Sequence, residues 1–110
     1  MERFLQAKHI IQIDDLSRSD IEEIFALAEY YLQKNKNKVE QNHHLQSFTQ
    51  INVFFENSTR TLASFELAGK KLGGIVQDIR IATSSIQKGE TLIDTALTLN
   101  AMRPNLLVVR

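Results

Sequence analysis

Between Phe54 and Glu66 the chain reads FFENSTRTLASFE, and Ser58, Thr59, Arg60 and Thr61 form an unbroken row of hydroxyl and guanidinium donors within it. The row stands where a run of β-forming residues ends and a helical pattern begins. The first four backbone N–H groups of a helix lack intrahelical partners, and the macrodipole places partial positive charge there, so such a junction attracts anions. Hydroxyls and a guanidinium added to those amides can surround a tetrahedral oxyanion such as phosphate. A plainer reading makes Ser58 an N-cap, the threonines strand-end residues and Arg60 a solvated side chain. Spacing alone leaves both open.

A second cluster, SSIQKGET, places Ser84, Ser85 and Lys88 ahead of Gly89. An ammonium on such a loop can hold phosphate as a point charge, although the same residues also suit a polar surface loop with a helix cap. Arg110 ends the third apolar run, as a further anion contact or as an arginine reaching water. Neither GxxxxGK[ST] nor GxGxxG occurs, so no nucleotide-binding motif is supported. His9, His43 and His44 have no cysteine or carboxylate at ligand spacing, so neither a metal nor a cofactor is expected. Glu56 and Glu66 flank the donor row and are expected to be structural or solvated.

These groups must be positioned by regular elements. Ser17 and Asp20 are spaced as an N-cap and third helical residue, and Ile21, Ile24, Phe25, Ala28, Tyr31 and Leu32 follow as one apolar stripe, expected to be core. After KNKNK and the aperiodic VEQNHHLQS, FTQINVFFE reads as a buried strand. A helix is predicted from about Thr59 to Leu72, with Leu62, Phe65, Gly69 and Leu72 on one face and Gly73-Gly74 as its stop. GIVQDIR is the second strand. IATSSIQKGE then exceeds the usual connection of about 2 to 6 residues, which marks it as functional. TLIDTALTLNAM is a helix capped by Thr91 and Asp94, and Pro104 separates it from the third strand, NLLVVR.

Strands alternating with helices predict right-handed βαβ units: a three-layer α/β/α arrangement around a parallel sheet. Ligands bind such sheets at the carboxyl ends of the strands, where both unusual segments begin. At 110 residues the chain is one domain at most. Lys plus Arg and Asp plus Glu both number 13, which leaves no net positive field for a nucleic-acid backbone. With no cysteine, no apolar run near the ~20 residues of a membrane span and no leader pattern, a soluble cytoplasmic protein is expected, with no nucleic-acid or membrane partner.

Two motifs together resemble the amino-terminal domain of the aspartate/ornithine carbamoyltransferase family. Ser58-Thr59-Arg60-Thr61 followed by Ser64-Phe65-Glu66 is similar to that family's carbamoyl-phosphate signature. Ser84, Lys88 and Gly89-Glu90-Thr91-Leu92 look like the loop and helix found where aspartate, rather than ornithine, is the second substrate. The resemblance runs from DDLSRSD to LLVVR. It implies that residues 1–110 are part of a carbamoyl-phosphate-binding domain with three of its four strands, and that the aspartate-binding domain and the histidine that follows Arg110 in the family lie outside the chain. For the full-length protein it implies a carbamoyltransferase of pyrimidine biosynthesis, making N-carbamoyl-L-aspartate and phosphate from carbamoyl phosphate and L-aspartate without a cofactor. Ser58, Thr59 and Arg60 would hold the phosphate. Thr61 and Arg110 would face the carbonyl oxygen, with Arg60 and Arg110 offsetting charge on the leaving group. Ser84 and Lys88 would come from a neighbouring subunit of a homotrimer, itself open to joining further subunits. The 110 residues alone are expected to be inactive. Ornithine carbamoyltransferase, and a non-catalytic phosphate-binding or interaction module, are the alternatives.

Overall fold

The computed structural model describes residues 5–36, 43–81 and 91–110, and the chain divides into two compact units, residues 1–40 and 41–110. The first unit holds a short 3-10 turn, Ile13–Asp15, and helix α1, Arg18–Lys36. The helix starts where Ser17 and Asp20 predict. Asp20 N–H donates to Ser17 Oγ and Ser17 N–H donates to Asp20 Oδ2, each at 3.1 Å. Asp20 also accepts from Gln6 N–H at 2.9 Å, and it is the buried residue of α1. The predicted apolar stripe is only partly covered. Ile21, Ile24 and Tyr31 are half-buried, but Phe25, Ala28 and Leu32 are exposed. A single helix with one short turn lacks the facing layer needed to cover a whole stripe.

The second unit contains β1 (Thr49–Phe54), α2 (Thr59–Lys71), β2 (Ile75–Arg80), α3 (Leu92–Ala101) and β3 (Leu106–Val109) in that order. The strands form one parallel sheet in the order β2-β1-β3, with Asn52 opposite Asp78 on one side and opposite Val108 on the other. Each parallel step is made by a helical crossover, as the alternation of elements requires. Central β1 is buried on both faces from Gln50 onward. Its odd-numbered residues, Ile51 and Val53, pack with Leu99 of α3, and Ile79 and Ile81 border that cluster. The even-numbered face meets α2: a Gln50 amide N–H donates to Phe65 O at 2.9 Å. Helices therefore lie on opposite faces of the sheet.

Helix α2 ends as its glycines predict. Gly73 adopts φ 85°, its N–H donates to Lys70 O, and Gly74 N–H donates to Gly69 O. This double closure needs a left-handed residue, which glycine supplies without a Cβ clash. On its sheet-facing side Leu62 and Gly69 are buried and Leu72 half-buried, whereas the Phe65 ring, expected on the same face, is 42% exposed. The carbonyl of Phe65, rather than its ring, meets the sheet. No helix among the described residues is long and apolar enough to cross a membrane.

Candidate functional site

The two crossover helices start differently. Helix α3 carries a complete capping box: Asp94 N–H donates to Thr91 Oγ1 at 3.1 Å, and Thr91 N–H donates to the Asp94 carboxylate at 3.2 Å. Helix α2 has Ser58 at the N-cap, with φ −150° and ψ 72°, yet the serine side chain makes no capping bond and the first turn contains no acidic residue. The first intrahelical bond runs from Leu62 N–H to Ser58 O, so the amides of Thr59, Arg60 and Thr61 stand ahead of it. The plain capping role for Ser58 is therefore not adopted. Among the described residues, the positive end of α2 is met by neither a side-chain cap from Ser58 nor a carboxylate of its own first turn.

Strand β3 brings Arg110 to this end. Arg110 N–H donates to Val53 O at 3.0 Å and its carbonyl accepts from Phe55 N–H at 2.6 Å, which carries the sheet pairing one residue past each strand. The side chain then crosses over the carboxyl end of β1. Nη1 donates to Thr61 Oγ1 at 2.9 Å, and Nε donates to Glu56 Oε1 at 2.7 Å. Because the arginine can only donate, the Thr61 hydroxyl accepts here and keeps its own proton for another acceptor. The Arg110 and Glu56 side chains are 48% and 61% exposed, so the ion pair adds on the order of 1 kcal/mol or less to stability. Its main consequence is placement of the guanidinium. Arg60 is also exposed, and among the described residues its guanidinium has no hydrogen-bond or ion-pair partner.

The sequence-predicted residues thus divide into three groups. Thr61 and Arg110 are brought into direct contact. Ser58, Thr59 and Arg60 line the same helix start. Ser84 and Lys88 lie outside the described residues. Glu56 and Glu66 hold structural pairs, with Arg110 and with Lys70 respectively. An arginine fixed on a threonine beside uncapped helix amides can bind an oxyanion and the carbonyl oxygen next to it.

Residues 8–110 match the family model described as aspartate/ornithine carbamoyltransferase, carbamoyl-P binding domain. The chain belongs to this family. It is 57% identical over 103 residues to the aspartate carbamoyltransferase catalytic subunit of Ruegeria pomeroyi, covering 94% of this chain and 33% of that protein. To the catalytic subunit of Paracoccus denitrificans it is 55% identical over 105 residues, covering 96% and 33%. Aspartate transcarbamoylase from Trypanosoma cruzi, crystallised with carbamoyl phosphate and aspartate, superposes with a TM-score of 0.83 at 38% identity, over 96% of this chain and 32% of that one. The catalytic subunit of the M. Jannaschii enzyme gives 0.77 at 36% identity, over 94% and 33%. The chain spans about a third of the length of these relatives.

Three polar residues of the sheet interior went unread in the sequence: Gln50 and Asn52 on β1 and Asp78 on β2. A signal was present, since Gln50 and Asn52 alternate with Ile51 and Val53 and so share one face.

Proposed function

We propose that the full-length protein is an aspartate carbamoyltransferase, that residues 1–110 form part of its carbamoyl-phosphate-binding domain, and that the aspartate-binding domain lies beyond them. The observation that carries this reading is the Arg110 guanidinium seated on Thr61 at the uncapped start of α2. The aspartate amino nitrogen attacks the carbonyl carbon, a C–N bond forms, and the C–O bond to phosphate breaks with its electron pair passing to phosphate. Phosphate takes up the proton lost by the amine. Negative charge grows first on the carbonyl oxygen, which Thr61 and Arg110 face, and then on the phosphate held by Ser58, Thr59, Arg60 and the helix amides. A unit-charge pair at about 4 Å is worth on the order of 4 kcal/mol gross at an effective dielectric near 20, so two arginines supply an effect of catalytic size. Preorganised donors need no covalent nucleophile.

Aspartate rather than ornithine is supported by Lys88-Gly89-Glu90-Thr91 and by the names of the curated relatives. The test offers carbamoyl phosphate with either amino acid to the full-length protein; citrulline in place of carbamoyl-aspartate would reverse the assignment, and phosphate binding without either product would leave only an anion-binding module. The product belongs to pyrimidine biosynthesis, and a cytoplasmic location goes with that role.

A homotrimer in which Ser84 and Lys88 reach a neighbour's site completes the proposal. Mixing inactive Lys88→Ala subunits with inactive Arg60→Ala subunits then restores part of the activity, because one shared site receives both native side chains. Hybrids that assemble without activity at every ratio would exclude sharing through Lys88.

A further inference from the structure

Beneath the Ser58–Thr61 row a line of polar side chains crosses the even-numbered face of the sheet. Gln50 Nε2 donates both to Phe65 O of α2 and to Asn52 Oδ1, and Asn52 Nδ2 donates to Asp78 Oδ1 on β2, each at 2.9 Å. Asn52 is 0% exposed and Gln50 5%. The next turn of α2 carries an ion pair of its own, Lys70 Nζ donating to Glu66 Oε1 at 2.6 Å. The Lys70 bond draws the Glu66 carboxyl below its ordinary range, and Glu66 raises Lys70 in turn. The helix is thus tied to β1 through Phe65 O, and β1 is tied to β2 through Asn52 and Asp78. Ser64 Oγ donates to Arg60 O at 2.8 Å, which joins the tied turn to the turn that carries the anion donors.

Apolar side chains at positions 50 and 52 would give β1 the same burial without the risk of unmatched polar atoms. Apolar packing is non-directional, however, and tolerates a helix sliding along its axis. A carbonyl bound by a buried amide does not. Phe65 lies four residues beyond Thr61, about 6 Å along the helix, so fixing Phe65 O fixes how far the donor row projects past the carboxyl end of β1.

We propose that Gln50 and Asn52 are positioning residues for carbamoyl-phosphate recognition, and that Ser64-Phe65 is the anchor by which they hold the Ser58–Thr61 donors in register with Arg110. The inference rests on the carbamoyl-phosphate reading and adds to it a role for residues that touch no substrate. Reacting groups misplaced by about 1 Å can lose on the order of a hundredfold in rate.

The test is Gln50→Met in the full-length protein, which keeps side-chain length and removes both amide donors. At a temperature where parent and variant are fully folded, the affinity for inorganic phosphate falls and KM for carbamoyl phosphate rises, each about tenfold or more, while KM for aspartate stays within about twofold. Unchanged phosphate affinity and carbamoyl phosphate KM, with only a lower Tm, would make Gln50 an ordinary core amide and overturn the anchor. If Gln50→Met does not assemble, Asn52→Ser breaks the line at its middle without emptying it of polar atoms, and it is read the same way. A parent protein that binds no phosphate would sink the underlying reading and the anchor with it; a parent that binds phosphate beside an unchanged variant sinks the anchor alone.

Discussion

Arg110 Nη1 donates to Thr61 Oγ1 at 2.9 Å across 49 positions of sequence, joining the end of the third strand to the first turn of α2. Glu56 holds the same guanidinium through Nε at 2.7 Å. The fork is therefore used in two directions at once. A lysine at position 110 has one compact head group and cannot reproduce both contacts with the same geometry. Arg110→Lys in the full-length protein is expected to lower kcat by about a hundredfold or more, because under the proposed function the lost donor faces charge that develops during the reaction. Since the ion pair is exposed, the Tm should change little. A kcat within threefold of the parent in steady-state assays would remove Arg110 from the mechanism.

Arg60 differs from Arg110 in having no side-chain partner among the described residues. Its truncation leaves no buried group unsatisfied, so Arg60→Ala should fold and assemble normally. Under the proposed function, turnover of the full-length protein should nevertheless fall severely, by at least about a hundredfold, because a charge at the leaving phosphate is lost. Near-normal turnover in an assembled variant would show that Arg60 is only a solvated cation.

Asp20 makes a prediction about pH. It accepts N–H bonds from Gln6 and Ser17, and those bonds hold its carboxyl below the ordinary aspartate range, Gln6 contributing most. A carboxylate whose folded pKa lies below its unfolded value of about 3.9 contributes its full stabilisation above that value and loses it as pH falls through the folded pKa. Asp20→Asn should therefore lower stability at neutral pH and flatten its dependence on acid below about pH 4. Acid unfolding of parent and variant followed by circular dichroism reads both changes. Parallel acid limbs would show that these two bonds do not govern Asp20.

The order of elements was legible because its signals are local. Ile51 and Val53 mark a buried strand, Thr91 and Asp94 mark a helix start, and Gly73-Gly74 marks a helix end within a few residues of the groups they serve. The donor row and Arg110 were legible as one edge because both follow strand carboxyl ends in a parallel sheet. The line from Gln50 through Asn52 to Asp78 was not, because it depends on the register that sets Asn52 opposite Asp78 across a 26-residue separation. The grip of Glu56 on Arg110 spans 54 positions and has no local signature. Ser58 was legible only as a choice between a cap and an anion donor. Its residue type suits a cap, but its side chain makes no capping bond.

Gly69 tests how closely α2 lies on the sheet. Alanine has the better helix propensity by about 1 kcal/mol, so on local grounds Gly69→Ala should stabilise the protein. The packing argues against it. A Cβ at position 69 would stand 2.5 Å from Gln50 Oε1 and 2.7 Å from Val76 Cγ2, inside the closest approach real Cβ atoms make. Gln50 has little freedom to withdraw, being 5% exposed and bonded to both Asn52 and Phe65 O. Val76 sits on β2, whose backbone is paired to β1. Relief requires α2 to lift or the amide bonds to break, and overpacking of this kind costs about 1–3 kcal/mol, enough to cancel or exceed the propensity gain. Gly69→Ala is accordingly expected to lower the urea midpoint, and adding Val76→Ala should recover part of the loss by removing one of the two clashing atoms. A single variant more stable than its parent would mean that α2 stands farther from β1 than these distances place it.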